Sequence, residues 1–151
     1  PHASAGLVVI RVCFRFGDPR IFARLVCAWR GGDSAHCEVA FNWTAARHEC
    51  VSASWLDGGV RVKTIDLPAD KWRIYEMQAD LNRALAWAAQ HDGERYDVLG
   101  LLGFVFRRIK GWTRAWFCSE VAADVMYLPE PYLYDLRALE SVCGRYGVRV
   151  Q

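Results

Sequence analysis

One cysteine stands at a place where backbone chemistry favours its ionised form. Cys118 follows the aromatic pair Trp116-Phe117 and precedes a stretch with helical spacing, residues 121–126. This pattern predicts a helix whose first turn carries the thiol. Unpaired backbone N–H groups and the positive end of the helix dipole at that turn favour a thiolate over a thiol. We therefore predict that Cys118 is a nucleophile.

A base for such a nucleophile is offered far upstream, by His36 in the predicted strand 35–43. Alternate side chains of a strand share a face, so His36 and Glu38 point the same way. A histidine in an apolar strand is more often a core residue that is satisfied by hydrogen bonds. The carboxylate two residues on and the thiol at Cys118 favour a catalytic base instead. A cysteine and a histidine of this kind are the parts of a cysteine hydrolase.

Length and composition place these residues in one soluble domain, residues 1–151. Hydrophobic residues make up 53% and charged residues 24% of the chain, as in globular proteins, and the formal net charge of +2 is too small to predict a nucleic-acid partner. The six cysteines form no C-x-x-C pair, which argues against a zinc site and favours reduced thiols over a disulfide framework. We expect no cofactor and no metal.

The apolar segments predict neither a leader nor a membrane span. The longest of them, residues 98–106, is about half as long as the roughly 20 residues that a spanning helix needs. We therefore expect synthesis in the cytoplasm. The sequence does not give the place of action, for which the bacterial host cell wall is one candidate. Oligomeric state is also not given.

Strand patterns occupy the first half of the chain and helical patterns the second. Strands are predicted over 7–16, 35–43, 49–55, 60–65 and 72–77, and a helix after Asp18-Pro19 up to Gly31. Further helices are predicted from Asp80 to Asp92, over 98–106, from Cys118 to about 129 and over 135–143, where Gly144 ends the last one. This segregation predicts an α+β domain, an antiparallel sheet with helices packed on one face.

The order of the motifs resembles a known family. Ser34-Ala35-His36-Cys37-Glu38-Val39 comes first, then Val51-Ser52-Ala53-Ser54 and Asp57-Gly58-Gly59-Val60, then a run from Tyr96 to Gly103 and finally Trp116-Phe117-Cys118-Ser119-Glu120. This order resembles the circularly permuted NlpC/P60 branch of papain-like proteins, most closely a set of small phage and prophage proteins. The matching motifs extend from about residue 34 to residue 140. The resemblance implies a papain-like fold.

The resemblance also implies roles for individual residues. Cys118 matches the nucleophile, and His36 matches the base that accepts its proton. A third polar residue orients the imidazole, and in much of the superfamily it lies on the strand after the histidine strand. Ser52 has the matching place here, with His48 close by in sequence, but a serine is a weaker orienter than the family's usual residues. Glu38 is therefore the preferred orienter, and the identity of the third member stays open.

Further residues are predicted around the nucleophile. Tyr96 matches a tyrosine near the active site of related proteins, where its phenol donates to the oxyanion or the substrate; simple packing at a helix start is the alternative. The backbone N–H groups of Cys118 and Ser119 are the more general oxyanion donors, and Glu120 is read as a helix cap. The aromatic and basic stretch 104–116 is interpreted as a substrate wall, an interfacial patch or a solvated loop. The wall residues would be Trp112, Arg114 and Trp116.

Three functions compete at this stage. The first is a cysteine peptidase or amidase that cleaves bacterial cell-wall peptide bonds through a covalent acyl-enzyme. The second keeps the same cysteine and histidine but moves acyl chains between lipids, as permuted relatives of the lecithin:retinol acyltransferase type do. The third is a non-catalytic papain-like module that binds a partner or forms part of a virion. The presence of both Cys118 and His36 favours an enzyme over the third hypothesis.

Overall fold

Five long strands form most of a single sheet. A computed structural model describes residues 8–18, 20, 24, 27–28, 31–96 and 115–151. Within them, the long strands are β1 (Val8–Phe16), β2 (Ser34–Trp43), β3 (Arg47–Ser54), β4 (Gly59–Asp66) and β5 (Trp72–Ala79). These strands are rich in valine, isoleucine and aromatic residues, which pack well on a pleated surface.

Three two-residue strands complete the sheet, namely β6 (Arg95–Tyr96), β7 (Ala115–Trp116) and β8 (Val148–Arg149). The order across the sheet is β7-β6-β4-β3-β2-β1-β5-β8. All neighbouring strands are antiparallel except β6 and β7, which are parallel. The strand that carries His36, β2, therefore lies in the middle of the sheet between β1 and β3.

Three α-helices are described: α1 (Leu81–His91), α2 (Cys118–Val125) and α3 (Leu136–Tyr146), with a 3₁₀ turn at Pro131–Leu133. The side chain of Asp80 accepts a hydrogen bond from the backbone N–H of Arg83, and Asp135 accepts one from that of Ala138. Both aspartates therefore cap their helices, because each satisfies one of the donors that a helix start leaves unpaired. None of the described helices is long and apolar enough to cross a membrane.

Side chains on the two faces of the sheet form separate cores. One face carries Ile10, Val12, Phe14, Val39 and Val51, and packs against residues of all three helices, including Val121 and Leu139. The other face carries a smaller cluster of strand residues and their neighbours, which are Cys13, Ala40, Cys50, Leu67, Trp72 and Ile74. The described helices thus cover one face, as the sequence predicts for an α+β domain with an antiparallel sheet.

The pairing of β2 with β3 stops before the end of either strand. The paired residues run from Trp43 and His48 to Val39 and Val51. One position further along, the Ser52 hydroxyl donates a hydrogen bond to the carbonyl oxygen of Cys37, at 2.6 Å. A side chain thus takes the place of a backbone partner there, and the two strands separate at the level of His36 and Glu38.

The predicted elements agree with the structure except at helix ends, at the two-residue strands β6 and β7, which the sequence does not predict, and outside the described residues. The helix predicted to end at Gly144 continues to Tyr146, and Gly147 follows it. A Cβ at Gly147 would lie 2.3 Å from the Met77 sulfur, so the helix ends where only glycine fits against β5. Helix α2 ends at Val125, earlier than predicted. Most of the helix predicted after Asp18 and all of 98–106 lie outside the described residues.

Candidate active site

Cys118 is the first residue of α2, and it is 7% exposed. The first hydrogen bond within the helix runs from the N–H of Val121 to the carbonyl of Phe117. The N–H groups of Cys118 and Ser119 precede that bond and belong to the donor-rich end of the helix. The Glu120 carboxylate accepts from the N–H of Phe117 at 3.0 Å, so Glu120 caps the helix as the sequence indicates.

His36 and Glu38 lie side by side on β2, as strand alternation predicts. The Nε2 atom of His36 is 2.7 Å from Oε1 of Glu38. The imidazole is partly exposed, at 21%, whereas the carboxylate is 1% exposed. A buried carboxylate on Nε2 fixes the orientation of the ring and leaves Nδ1 as the nitrogen that can serve the thiol.

The sulfur of Cys118 and the ring of His36 lie close enough for each group to shift the pKa of the other. Burial lowers the pKa of His36, but the charge of Glu38 and the contact with Cys118 outweigh burial and raise that pKa to about 10. In the other direction, hydrogen bonds from Cys37 and His36 hold the pKa of the Cys118 thiol well below its usual value, against the effect of burial. The electrostatics therefore favour a thiolate–imidazolium pair.

Cys37, the neighbour of His36 on β2, also acts on the Cys118 thiol. Its thiol has the largest effect in lowering the pKa of Cys118, and its backbone N–H lowers that pKa further. The pKa of Cys37 itself is raised well above its usual value, first by burial and then by the neighbouring Cys118. Cys37 is fully buried, and its carbonyl is the group that accepts from Ser52. Cys37 and Cys118 belong to the same core, on the helix side of the sheet.

Glu38 is held on its far side by a guanidinium. Arg61 of β4 donates from Nη1 to Oε2 at 2.7 Å and from Nη2 to Oε1 at 2.5 Å. This fork-like pairing lowers the pKa of Glu38, although burial alone would raise it. Arg61 also donates from Nε to Asp57, at 2.8 Å, and Lys63 contacts the same aspartate at 3.1 Å.

Two residues considered as the third member occupy other places. Ser52 uses its hydroxyl proton on the Cys37 carbonyl, so it supports the backbone of β2. His48 pairs with Trp43, seven residues along β2 from His36 and therefore about 23 Å away. Its Nε2 contacts the guanidinium of Arg11 at 3.1 Å. Of the residues considered as orienters, Glu38 is the one that the structure places against the imidazole.

The aromatic residues near the nucleophile pack against one another. The ring of Tyr96 lies edge-on to Phe117, with centroids 5.4 Å apart, and to Trp55, at 6.2 Å. Tyr96 is thus beside the residue that precedes Cys118. Ser119 is buried, at 2% exposed, in the first turn of α2.

The expected substrate wall is described only in part. Trp116 donates its indole N–H to the Glu94 carboxylate and packs edge-on to Trp87, with centroids 5.1 Å apart. These contacts attach β7 to α1, and a role of Trp116 in a substrate wall stays a prediction. Trp112 and Arg114 lie outside the described residues.

Arg61, Asp57 and Cys37 are the residues that the sequence reasoning missed. The alternation of β4 indicates that Arg61 is on a polar face of that strand. Which residues Arg61 contacts depends on the order of the strands in the sheet.

Among the described residues, no group of three His, Cys, Asp or Glu side chains is arranged to hold a metal ion. Comparison of the chain with protein-family models, curated proteins and solved structures gives no significant match.

Proposed function

We propose that this chain is a cysteine hydrolase that cleaves an amide bond through a covalent acyl-enzyme. The observation that supports the proposal is the arrangement of three side chains: Cys118 is electrostatically coupled to His36, and Oε1 of Glu38 lies 2.7 Å from Nε2 of that imidazole. Nucleophile, base and orienter are the parts that acyl transfer by a thiol requires. The sulfur also lies at a helix start, where the dipole favours its negative charge.

In the proposed reaction the Cys118 thiolate attacks the carbonyl carbon of the substrate, and the carbonyl electrons move to oxygen. The backbone N–H groups of Cys118 and Ser119 are the donors nearest in the chain for that oxyanion. His36 then gives the proton on Nδ1 to the leaving amine, and a thioester remains on Cys118. Water, activated by the neutral imidazole, attacks the thioester and releases the acid and the free thiol.

Peptides of the bacterial cell wall are the substrate class we propose. The resemblance of the motifs around His36 and Cys118 to permuted NlpC/P60 proteins supports this choice. The lipid acyltransferase hypothesis uses the same three side chains, so the geometry of the site is compatible with both reactions. A direct assay therefore has to distinguish amide hydrolysis from lipid acyl transfer.

Incubation of the chain with three probes tests the proposal: soluble muropeptides, a short-chain phosphatidylcholine and p-nitrophenyl acetate. We expect cleavage of a muropeptide amide bond, turnover of the activated ester and no acyl transfer from the phospholipid. After rapid quenching, we expect the intact mass of the chain to rise by one acyl group. We expect the peptide that contains Cys118 to carry that group. Liquid chromatography and mass spectrometry identify the products and the modified residue.

Each outcome bears on one hypothesis. A stable acyl adduct from phosphatidylcholine, with no muropeptide cleavage, would replace the hydrolase by the acyltransferase. No turnover of any probe and no adduct on Cys118 would contradict the enzyme and favour a non-catalytic module. The matched control is Cys27→Ala, because Cys27 is a half-buried thiol whose charged neighbours are Asp33 and Asp18 and not the site residues.

A further inference from the structure

We propose that Arg61 is a positioning residue of this site, which sets the reactivity of Cys118 by holding Glu38 in place for His36. The inference rests on the proposed function and extends it from three residues to five, with Asp57 as the outer anchor. Arg61 contacts Glu38 and Asp57, and it reaches Cys118 only through Glu38 and His36.

The first argument is the geometry of the Glu38 carboxylate. Two parallel N–H donors from one planar guanidinium fix the plane of a carboxylate, which a single donor does not. Glu38 Oε1 accepts from Arg61 at 2.5 Å and contacts His36 Nε2 at 2.7 Å. The fork on Arg61 therefore decides where Oε1 lies and, through it, how the imidazole is oriented toward the sulfur.

The second argument is the charge state of Glu38. This carboxylate is 1% exposed, and burial alone favours its protonated form. The other titratable groups beside Glu38 on the neighbouring strands are the thiols of Cys13 and Cys50, whose pKa burial raises, so they are neutral. Among the described residues the adjacent positive charges are Arg61 and the protonated His36. Arg61 is the one whose charge does not depend on the reaction.

The third argument is the way Arg61 itself is held. Arg61 is the cross-strand partner of Ser52, so its side chain extends across β3 to reach Glu38 on β2. The residue at position 52, which the path of Arg61 crosses, is a small and buried serine. Asp57, in the turn before β4, accepts from Nε at 2.8 Å and prevents the guanidinium from rotating away. Lys63 contacts Asp57 from outside and is 54% exposed.

Alkylation of Cys118 by iodoacetamide as a function of pH tests the inference, with the labelled peptide quantified by mass spectrometry. In Arg61→Met we expect Glu38 to take up a proton at higher pH, so that His36 holds its own proton less firmly. The acid limb of the labelling rate then moves up by about one pH unit, which lowers the rate about tenfold at pH values that lie on that limb. Arg61→Lys keeps the charge without the fork and is expected to recover part of the shift.

The matched control is Arg47→Met on β3, which removes an exposed positive charge whose ion-pair partner is Asp66 and is expected to leave the pH profile unchanged. A folded Arg61→Met with the wild-type profile would overturn the inference, as would an equal shift in Arg47→Met. Should Arg61→Met fail to fold by circular dichroism, Asp57→Asn is used, with a smaller shift in the same direction expected and an unchanged profile overturning the inference. Equal labelling of all cysteines in the wild-type chain would instead contradict the proposed function.

Discussion

Replacement of Cys118 by alanine is expected to abolish hydrolysis while the chain stays folded. Removal of the sulfur eliminates the covalent route, and loss of the nucleophile in a catalytic group that acts as a unit costs about 10⁴-fold or more in kcat. Because the side chain is small and lies at the first turn of α2, the helix and its Glu120 cap remain. Initial rates with p-nitrophenyl acetate and a muropeptide measure the effect.

The controls for this prediction separate chemistry from folding. Thermal unfolding of Cys118→Ala is expected to remain cooperative, and Cys27→Ala is expected to keep the wild-type rate, because the charged neighbours of Cys27 are Asp33 and Asp18 and not the site residues. Activity of Cys118→Ala within tenfold of wild type would show that another group performs the reaction. Equal losses in both variants would point to a folding defect.

Replacement of Glu38 by glutamine is expected to have the largest effect on stability. The carboxylate is almost fully buried between His36 and Arg61, and both of these groups are mostly shielded from water. Removal of one charge from a buried pair leaves its partner uncompensated, at a cost of about 3 kcal/mol. Urea denaturation at pH 7 measures the free energy of unfolding. The matched control is Glu49→Gln on β3. The Glu49 carboxylate accepts a hydrogen bond from the Asn42 amide at 3.5 Å, and we expect the free energy of unfolding to change by no more than about 0.5 kcal/mol.

The difference in the free energy of unfolding between wild type and Glu38→Gln depends on pH in a definite direction. The pKa of Glu38 is lowered in the folded chain, chiefly by Arg61, although burial opposes the change. The unfolded chain then binds more protons in the acid range, so the contribution of Glu38 is present above about pH 4.3 and is lost as the pH falls through the lowered folded pKa. We expect the gap between wild type and Glu38→Gln to narrow below about pH 4. A gap that is absent at pH 7, or that widens in acid, would contradict the buried ion pair.

Local patterns were sufficient to predict the elements and the central contact of the candidate site. The alternation of a strand places His36 and Glu38 on one face, and the structure shows their side chains in contact. The change from an aromatic run to helical spacing places Cys118 at a helix start, which is where α2 begins. Both inferences depend on residues close together in the sequence, for which backbone geometry is decisive.

Contacts between distant strands could not be predicted in the same way. Arg61 meets Glu38 because β3 lies between their strands and presents the small Ser52 at the crossing point, and neither fact is local. The sequence makes His48 a candidate for the site because His48 lies close to Ser52 in the chain. The pairing register places it opposite Trp43 instead, at the far end of β2. The effect of Cys37 on the Cys118 thiol depends on both residues lying in the same core, which no single-strand pattern indicates.

The rate of Cys118 alkylation at pH 6, in the wild-type chain and in His36→Gln, tests the central claim most directly. Burial raises the pKa of the other five thiols, at Cys13, Cys27, Cys37, Cys50 and Cys143. The thiolate–imidazolium pair therefore predicts labelling by iodoacetamide at Cys118 alone, with a rate that falls about 100-fold in His36→Gln as the thiol returns toward its usual pKa. Labelling of Cys118 no faster than the other cysteines, or an unchanged rate in His36→Gln, would contradict the account.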